Sequence, residues 1–151
     1  MPERNTTQQK QFTIVRVFDA PRSVIWRAWT DPDEAATWWH PREVVTPRAS
    51  VRIDARVGGR YEHRMIAPDA TEYPTGGEYL EVQEPERLKF TWADPGDPLE
   101  DAPVITVVLA ELDGDRTEMT FTVQGVDGQP GDDYIYDGWD QAFDILVEHL
   151  R

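Results

Sequence analysis

The chain has 151 residues, of which 39% are hydrophobic, 29% charged and 11% aromatic. That length and balance predict one folded domain with a substantial core, not a disordered or fibrous chain. The 29 acids against 15 bases leave a net charge of −14, and the bases form no cluster, which excludes nucleic acid and anionic membrane surfaces as partners. Cysteine is absent, which removes disulfides, thiolate nucleophiles, zinc ribbons and iron–sulfur centres.

Residues 1–10 read as a flexible tail and 11–151 as a single domain. The polar stretch from Met1 to Gln11 lacks the apolar segment of an export signal, so a cytoplasmic location is expected. No run approaches the roughly 18 apolar residues of a membrane span, so no membrane insertion is expected. Phe12, Ile14, Val15, Val17 and Phe18 predict a first strand. Pro21 then suits the start of a helix carrying Val24, Ile25, Ala28 and Trp29 at helical spacing. Asp31-Pro32-Asp33-Glu34 predicts a second, short helix, with Asp31 as its cap and Pro32 at its first position. It carries Trp38 and Trp39, which cannot face one direction, so one is expected in the core and the other at a cavity mouth. It stops at His40-Pro41.

Strands follow. Val51, Ile53 and Ala55 alternate, then Tyr61, His63 and Met65, with a loop expected from Ala67 to Thr75. A strand from Gly77 to Val82 meets a turn at Glu84-Pro85-Glu86, and Leu88, Phe90 and Trp92 alternate after it. A loop holding Pro95, Gly96, Pro98 and Pro103 precedes Ile105, Val107 and Leu109, and Asp113-Gly114 signals a hairpin into Thr117, Met119, Phe121 and Val123. The last element is a long helix from about Asp133 to Leu150, packed through Ile135, Trp139, Ala142, Phe143 and Leu146. The fold class is therefore α+β, with helices segregated on a curved antiparallel sheet of six or seven strands. One long and two short helices cannot cover one whole sheet face, so a cavity between sheet and helix is expected.

No dinucleotide, phosphate-loop, zinc-protease or nucleophile-elbow motif is present, and the three histidines lack metal-ligand spacing. No cofactor and no metal are expected. Closing a hairpin over 66–75 sets His63 opposite Glu78, Tyr61 opposite Leu80, Leu80 opposite Phe90 and Glu78 opposite Trp92. One face then reads Tyr61, His63, Met65, Glu78, Leu80, Val82, Leu88, Phe90 and Trp92. His63 and Glu78 are its two ionisable members, which need each other, a ligand or a wet cavity. They stand as a polar anchor for a ligand or an acid/base pair, against the plainer reading of a structural pair at the sheet rim. Gly138, beside Trp139, costs about 1 kcal/mol in a helix relative to Ala, explained by a close approach of backbone or ligand, or by packing.

Several motifs occur in one order: Phe18-Asp19-Ala20-Pro21, Val24 and Trp26, Trp29-Thr30-Asp31-Pro32, and Trp38-Trp39. Together they resemble the opening of START-like helix-grip proteins. Asp54-Ala55-Arg56-Val57-Gly58-Gly59, Glu84-Pro85-Glu86-Arg87-Leu88, Thr91-Trp92 and Gly138-Trp139 are similar to the Aha-type branch, named for the activator of the heat-shock chaperone ATPase. The resemblance covers residues 11–150. It implies a curved antiparallel sheet gripping a C-terminal helix around an apolar cavity, in a superfamily that includes lipid carriers, allergens, aromatic cyclases and antibiotic-sequestering proteins. Fold alone does not choose among these. The leading expectation is binding of a small hydrophobic or aromatic molecule by Trp39, Tyr61, His63, Met65, Glu78, Phe90, Trp92, Phe121, Trp139 and Phe143, with no assigned catalytic residue. The rivals are a cyclase- or hydrolase-like enzyme using His63 and Glu78, and a chaperone-interaction module. Two kinds of protein partner stay open, a second copy in a homodimer and a chaperone.

Overall fold

The computed structural model describes residues 10–93 and 102–150. The tail expected over 1–10 lies, apart from an exposed Lys10, outside the described residues, as do Pro95, Gly96 and Pro98 of the expected loop. The chain opens with β1 (Gln11–Phe18), whose inward residues Phe12, Ile14 and Phe18 are buried. Pro21 flanks α1 (Arg22–Thr30), which buries Ile25, Trp26, Ala28 and Trp29. In α2 (Pro32–Trp38) the Asp31 carboxylate accepts the Asp33 backbone N–H at 2.8 Å, and Pro32 occupies the first position, where a missing N–H costs nothing. A 3₁₀ turn (Arg48–Ser50) leads to β2 (Arg52–Ile53), β3 (Arg60–Ile66), β4 (Glu72–Gln83), β5 (Arg87–Thr91), β6 (Val104–Leu112) and β7 (Arg116–Gln124), and the chain closes with α3 (Ile135–His149).

All seven strands form one antiparallel sheet in the order β1-β7-β6-β5-β4-β3-β2. The turn at Asp113-Gly114 joins β6 to β7, which pair from Leu112↔Arg116 to Val104↔Gln124. One sheet face buries Ile105, Val107, Leu109, Met119, Phe121 and Val123 against the helices. Helix α3 crosses this face through Trp139, Ala142, Phe143 and Leu146, with Ile135 half-buried, the i, i+3, i+4 spacing that keeps a helix on one apolar stripe. It starts two residues later than the sequence suggests. Asp132 accounts for this: its carboxylate accepts the N–H groups of Tyr134, Tyr136 and Asp137 at 2.9, 3.1 and 3.2 Å, giving partners to donors that a helix start leaves open.

Polar and charged pairs tie α3 to the rest. Arg16 is the one charged side chain on the inward face of β1, and its guanidinium reaches Asp140 at 3.0 Å and Asp144 at 2.6 Å. His149 of α3 lies 2.7 Å from Glu34 of α2. Arg42 meets Glu148 at 2.6 Å. The last two tie α3 to α2 and to the loop that follows it.

The expected strand pairing is corrected at one place. The hairpin between β3 and β4 turns over residues 67–71, so strand begins at Glu72 where a loop was expected through Thr75. Asp69 drives the tight turn: its carboxylate accepts the Thr71 N–H at 2.9 Å, a local bond that favours turns over strand. His63 is therefore opposite Thr75, Tyr61 opposite Gly77, and Glu78 opposite Arg60 on the other face. A bulge between Tyr79 and Glu81 then restores the expected parity, so Val82 still meets Leu88, while Tyr79 instead of Leu80 meets Phe90. Leu80 is the unpaired, exposed residue. Ala55 lies outside β2, which is only two residues long.

Gly77 has a definite steric reason. A Cβ there would stand 2.0 Å from the Thr91 carbonyl oxygen, and that same oxygen accepts the hydroxyl of Tyr61, its cross-strand partner, at 2.7 Å. The phenol ring crosses a strand that has no side chain in the way. Thr91 is buried, and its hydroxyl accepts the Glu78 N–H at 2.8 Å.

Candidate functional site

The bridge Gly76↔Ala93 is the last β4 pairing on this side among the described residues, and the β3–β4 hairpin runs on beyond the end of β5. Its inward pairs there are His63↔Thr75 and Met65↔Tyr73. The start of α3 and the loop after α2 stand over them and leave a cavity of about 350 Å³. Trp39, His40, Pro41 and Val44 form one wall, His63, Met65, Ala67 and Tyr73 another, and Trp92 with Tyr134, Ile135, Gly138, Trp139 and Ala142 the rest. Among the described residues, no Asp, Glu, Lys or Arg lines it. Tyr73 and Tyr134 are 51% and 75% exposed and mark its rim.

The structure divides the expected site residues into two layers. Trp39, His63, Met65, Trp92 and Trp139 line the cavity. Tyr61, Phe90, Phe121 and Phe143 lie deeper, at 0–2% exposure in the core, and support the lining from beneath: Phe121 sits 4.7 Å from Trp139 and Tyr61 5.4 Å from Trp39, between ring centres. Glu78 is corrected out of the site, since its pairing with Arg60 puts it on the face opposite His63. The proposed acid/base pair is therefore not formed. Trp38 and Trp39 are both buried, with rings stacked at 5.9 Å, so neither stands at a cavity mouth as expected. Trp38 is fully buried, its indole N–H donating to the Ala28 carbonyl at 2.9 Å, while Trp39, at the end of α2, turns to the cavity.

His63 is the one strongly anomalous group in the lining. It is only 3% exposed, and neither ring nitrogen has a hydrogen-bond partner among the described residues. The Trp39 ring lies 4.7 Å away, tilted by 36°. Burial, with His40 nearby, lowers its pKa to about 4, so the imidazole is neutral at pH 7. A neutral imidazole has one donor and one acceptor nitrogen, and an unpaired buried polar group costs about 1–3 kcal/mol. Among the described residues two other buried atoms also lack partners, Trp29 Nε1 and Tyr79 Oη, but neither residue lines the cavity. On its other side His63 borders a polar hollow of about 220 Å³ lined by Ser50, Arg52, Glu62 and Arg64. His40 differs from His63: its Nδ1 is 3.1 Å from the Thr46 hydroxyl, and burial lowers its pKa too.

The lining residues missed by sequence reasoning are Tyr73, Tyr134, His40, Pro41, Val44, Ala67, Ile135, Gly138 and Ala142. Ile135, Gly138 and Ala142 share the helical stripe of Trp139, a signal that was present. Tyr73 was hidden by the loop expected over it. A Cβ on Gly138 would meet only the Pro41 ring, at 3.6 Å, so no tight packing demands glycine there. The space beside it belongs to the cavity. Among the described residues, no three His, Asp or Glu side chains gather where they could hold a metal ion, and no helix is long and apolar enough to cross a membrane.

A curved antiparallel sheet gripping a C-terminal helix, with a cavity between them, defines a START-like helix-grip protein. The chain belongs to the family of Activator of Hsp90 ATPase homolog 1-like proteins, whose sequence model it matches over residues 19–151. Among curated proteins, none is matched significantly. Among solved structures, the chain is similar to protein CV1439 from Chromobacterium violaceum, at 27% identity and a TM-score of 0.79 over 93% of this chain and 96% of that one. Protein Ms6760 from Mycobacterium smegmatis is 25% identical, with a TM-score of 0.75 over 97% and 92%. PFC0360w, an HSP90 activator from Plasmodium falciparum, shares the fold at 19% identity and a TM-score of 0.58, over 80% and 76%.

Proposed function

We propose that the chain binds one small, largely apolar molecule in the cavity between the β3–β4 hairpin and α3. The observation that carries this reading is the cavity itself. Its volume of about 350 Å³ is walled by aromatic and aliphatic side chains around a buried imidazole without partners, the usual make-up of a small-molecule site.

The test uses N-phenyl-1-naphthylamine, an uncharged dye that brightens in apolar surroundings. Saturable one-to-one binding is expected for the natural chain. Gly138→Leu should weaken it at least tenfold while leaving the protein folded. The new side chain clears Pro41 at Cβ, fills the cavity, and replaces glycine by a residue roughly 1 kcal/mol better in a helix. Dye binding unchanged by Gly138→Leu would remove the cavity as the site.

A second reading, contact with an Hsp90-class chaperone, is supported by the family to which the chain belongs. Stimulation of an Hsp90 ATPase by the purified chain is its expected result, and no change at saturating concentration counts against it.

A further inference from the structure

We propose that the free edge of β1 takes up an extended, basic segment of another protein, which adds to the sheet as a further strand. β1 ends the strand order, with β7 on its one paired side. All eight of its residues, Gln11 to Phe18, pair in unbroken register. The Gly125 N–H donates to the Lys10 carbonyl at 2.8 Å, which fixes the parity of the ladder. Alternation then turns the N–H and C=O groups of Phe12, Ile14, Arg16 and Phe18 toward β7, and those of Gln11, Thr13, Val15 and Val17 away from it. Among the described residues no backbone bond outside the ladder reaches these four. They make a template about 20 Å long.

Natural sheets blunt a long edge with proline, a bulge, lysine or an inward charge. Over residues 11–18 there is no proline, no glycine and no register shift, and the one charge is Arg16. Its guanidinium is drawn back onto α3 by Asp140 at 3.0 Å and Asp144 at 2.6 Å. The edge stays open.

The two faces of this edge state what the segment must carry. On the outer face Val15 and Val17 are 53% and 48% exposed. Behind them Val15 pairs with Thr120, and Thr120 with Val108, an uncharged β-branched row that suits Val, Ile or Thr in the next strand. On the helix face the Asp140 and Asp144 carboxylates share a single guanidinium, and both side chains are nearly half exposed. One negative charge is left in excess there, which Lys or Arg at the alternate positions of the segment would meet. The net charge of −14 draws a basic segment in. It disfavours a second copy, which would bring the same carboxylates to the same edge.

A rhodamine-labelled peptide, Gly-Lys-Val-Lys-Thr-Lys-Val-Lys-Gly, titrated with the full chain and followed by fluorescence anisotropy, tests this. Saturable one-to-one binding is expected below about 100 µM. A peptide of the same composition with its four lysines adjacent should bind at least about tenfold more weakly, because it cannot alternate. N-methylation at Val and Thr, whose N–H groups would face β1, should weaken binding by about tenfold or more, and methylation at the lysines by less than about threefold. Val15→Pro keeps the ladder to β7, since the Val15 N–H takes no part in it. It should weaken binding at least about tenfold while urea unfolding stays cooperative. Asp144→Asn should weaken binding about threefold and flatten its salt dependence. No binding of the first peptide overturns the proposal, as does equal binding of the two lysine arrangements. Equal effects of methylation at either set of positions overturn it on the natural chain alone, and full affinity in a folded Val15→Pro does so as well. A dimer of the chain that Val15→Pro dissolves would give the edge to a second copy and overturn the basic partner.

Discussion

Trp29→Ala should cost roughly 4–5 kcal/mol of folding stability, the top of the range for truncating a buried aromatic residue. Trp29 is 1% exposed, and its ring lies within 4.7–6.2 Å, centre to centre, of Trp38, Trp39, Phe90, Phe121, Trp139 and Phe143. Those rings come from α2 and the residue just after it, from β5, from β7 and from α3, so one deletion loosens every layer at once. The surrounding rings are too rigid to collapse into the space left, which is when the cavity penalty is largest. Trp29→Phe should cost less than about 2 kcal/mol. It keeps a ring in place, and the indole N–H that it removes has no partner to lose. Urea unfolding of the three proteins gives both numbers. A loss below about 2 kcal/mol for Trp29→Ala would mean that the core is not organised around this residue.

Acidification from pH 8 to pH 5 should remove about 2 kcal/mol of stability through His63 alone. Its pKa is about 4 in the folded chain and near 6.5 in the unfolded one. Between those values the unfolded chain holds more protons, so stability is fullest above pH 6.5 and falls as the pH drops toward 4. His40, whose burial also lowers its pKa, acts in the same direction. Unfolding curves at pH 8, 6.5 and 5 should therefore diverge between the natural chain and His63→Phe, the variant losing about 2 kcal/mol less across the interval. Parallel losses would place the imidazole in water instead of in the wall.

Much of this fold is legible in the sequence because local chemistry dictates it. Asp31-Pro32 starts a helix by supplying an acceptor where donors are open and a proline where no donor is needed. Asp113-Gly114 marks a hairpin, and the stripe from Trp139 to Leu146 marks the helix face that packs on the sheet. The pairing of β3 with β4 was not legible to the same degree. It depends on where a turn closes, and moving the turn by a few residues from 66–75 to 67–71 shifts the register by three. An odd shift exchanges the faces, and that alone carried Glu78 away from His63 and brought Thr75 to it. The bulge at Leu80 concealed the error, because it returned Val82 to its expected partner.

The site shows the same division. Trp39, His63, Met65, Trp92 and Trp139 stood out as aromatic or polar residues at inward positions, and they do line the cavity. Tyr61, Phe90, Phe121 and Phe143 carry the same chemical signature, and alternation cannot distinguish the first layer from the one beneath it. Depth is set by how far the hairpin extends beyond β5, a tertiary quantity. Gly138 is unfavourable within a helix on sequence grounds, and the open space beside it, a tertiary feature, gives the reason.

The separation of these two layers has a consequence for how such a protein can change over generations. Residues that shape the cavity, Met65, Ala67 and Tyr73 on the hairpin and Gly138 on α3, lie outside the ring cluster centred on Trp29. Exchanges among them alter the volume and rim of the cavity while leaving that cluster intact, and effects at sites that share no partners largely add. On the proposed reading of the cavity as a binding site, a lineage can therefore drift from one guest molecule to another by single substitutions without first crossing an unstable intermediate.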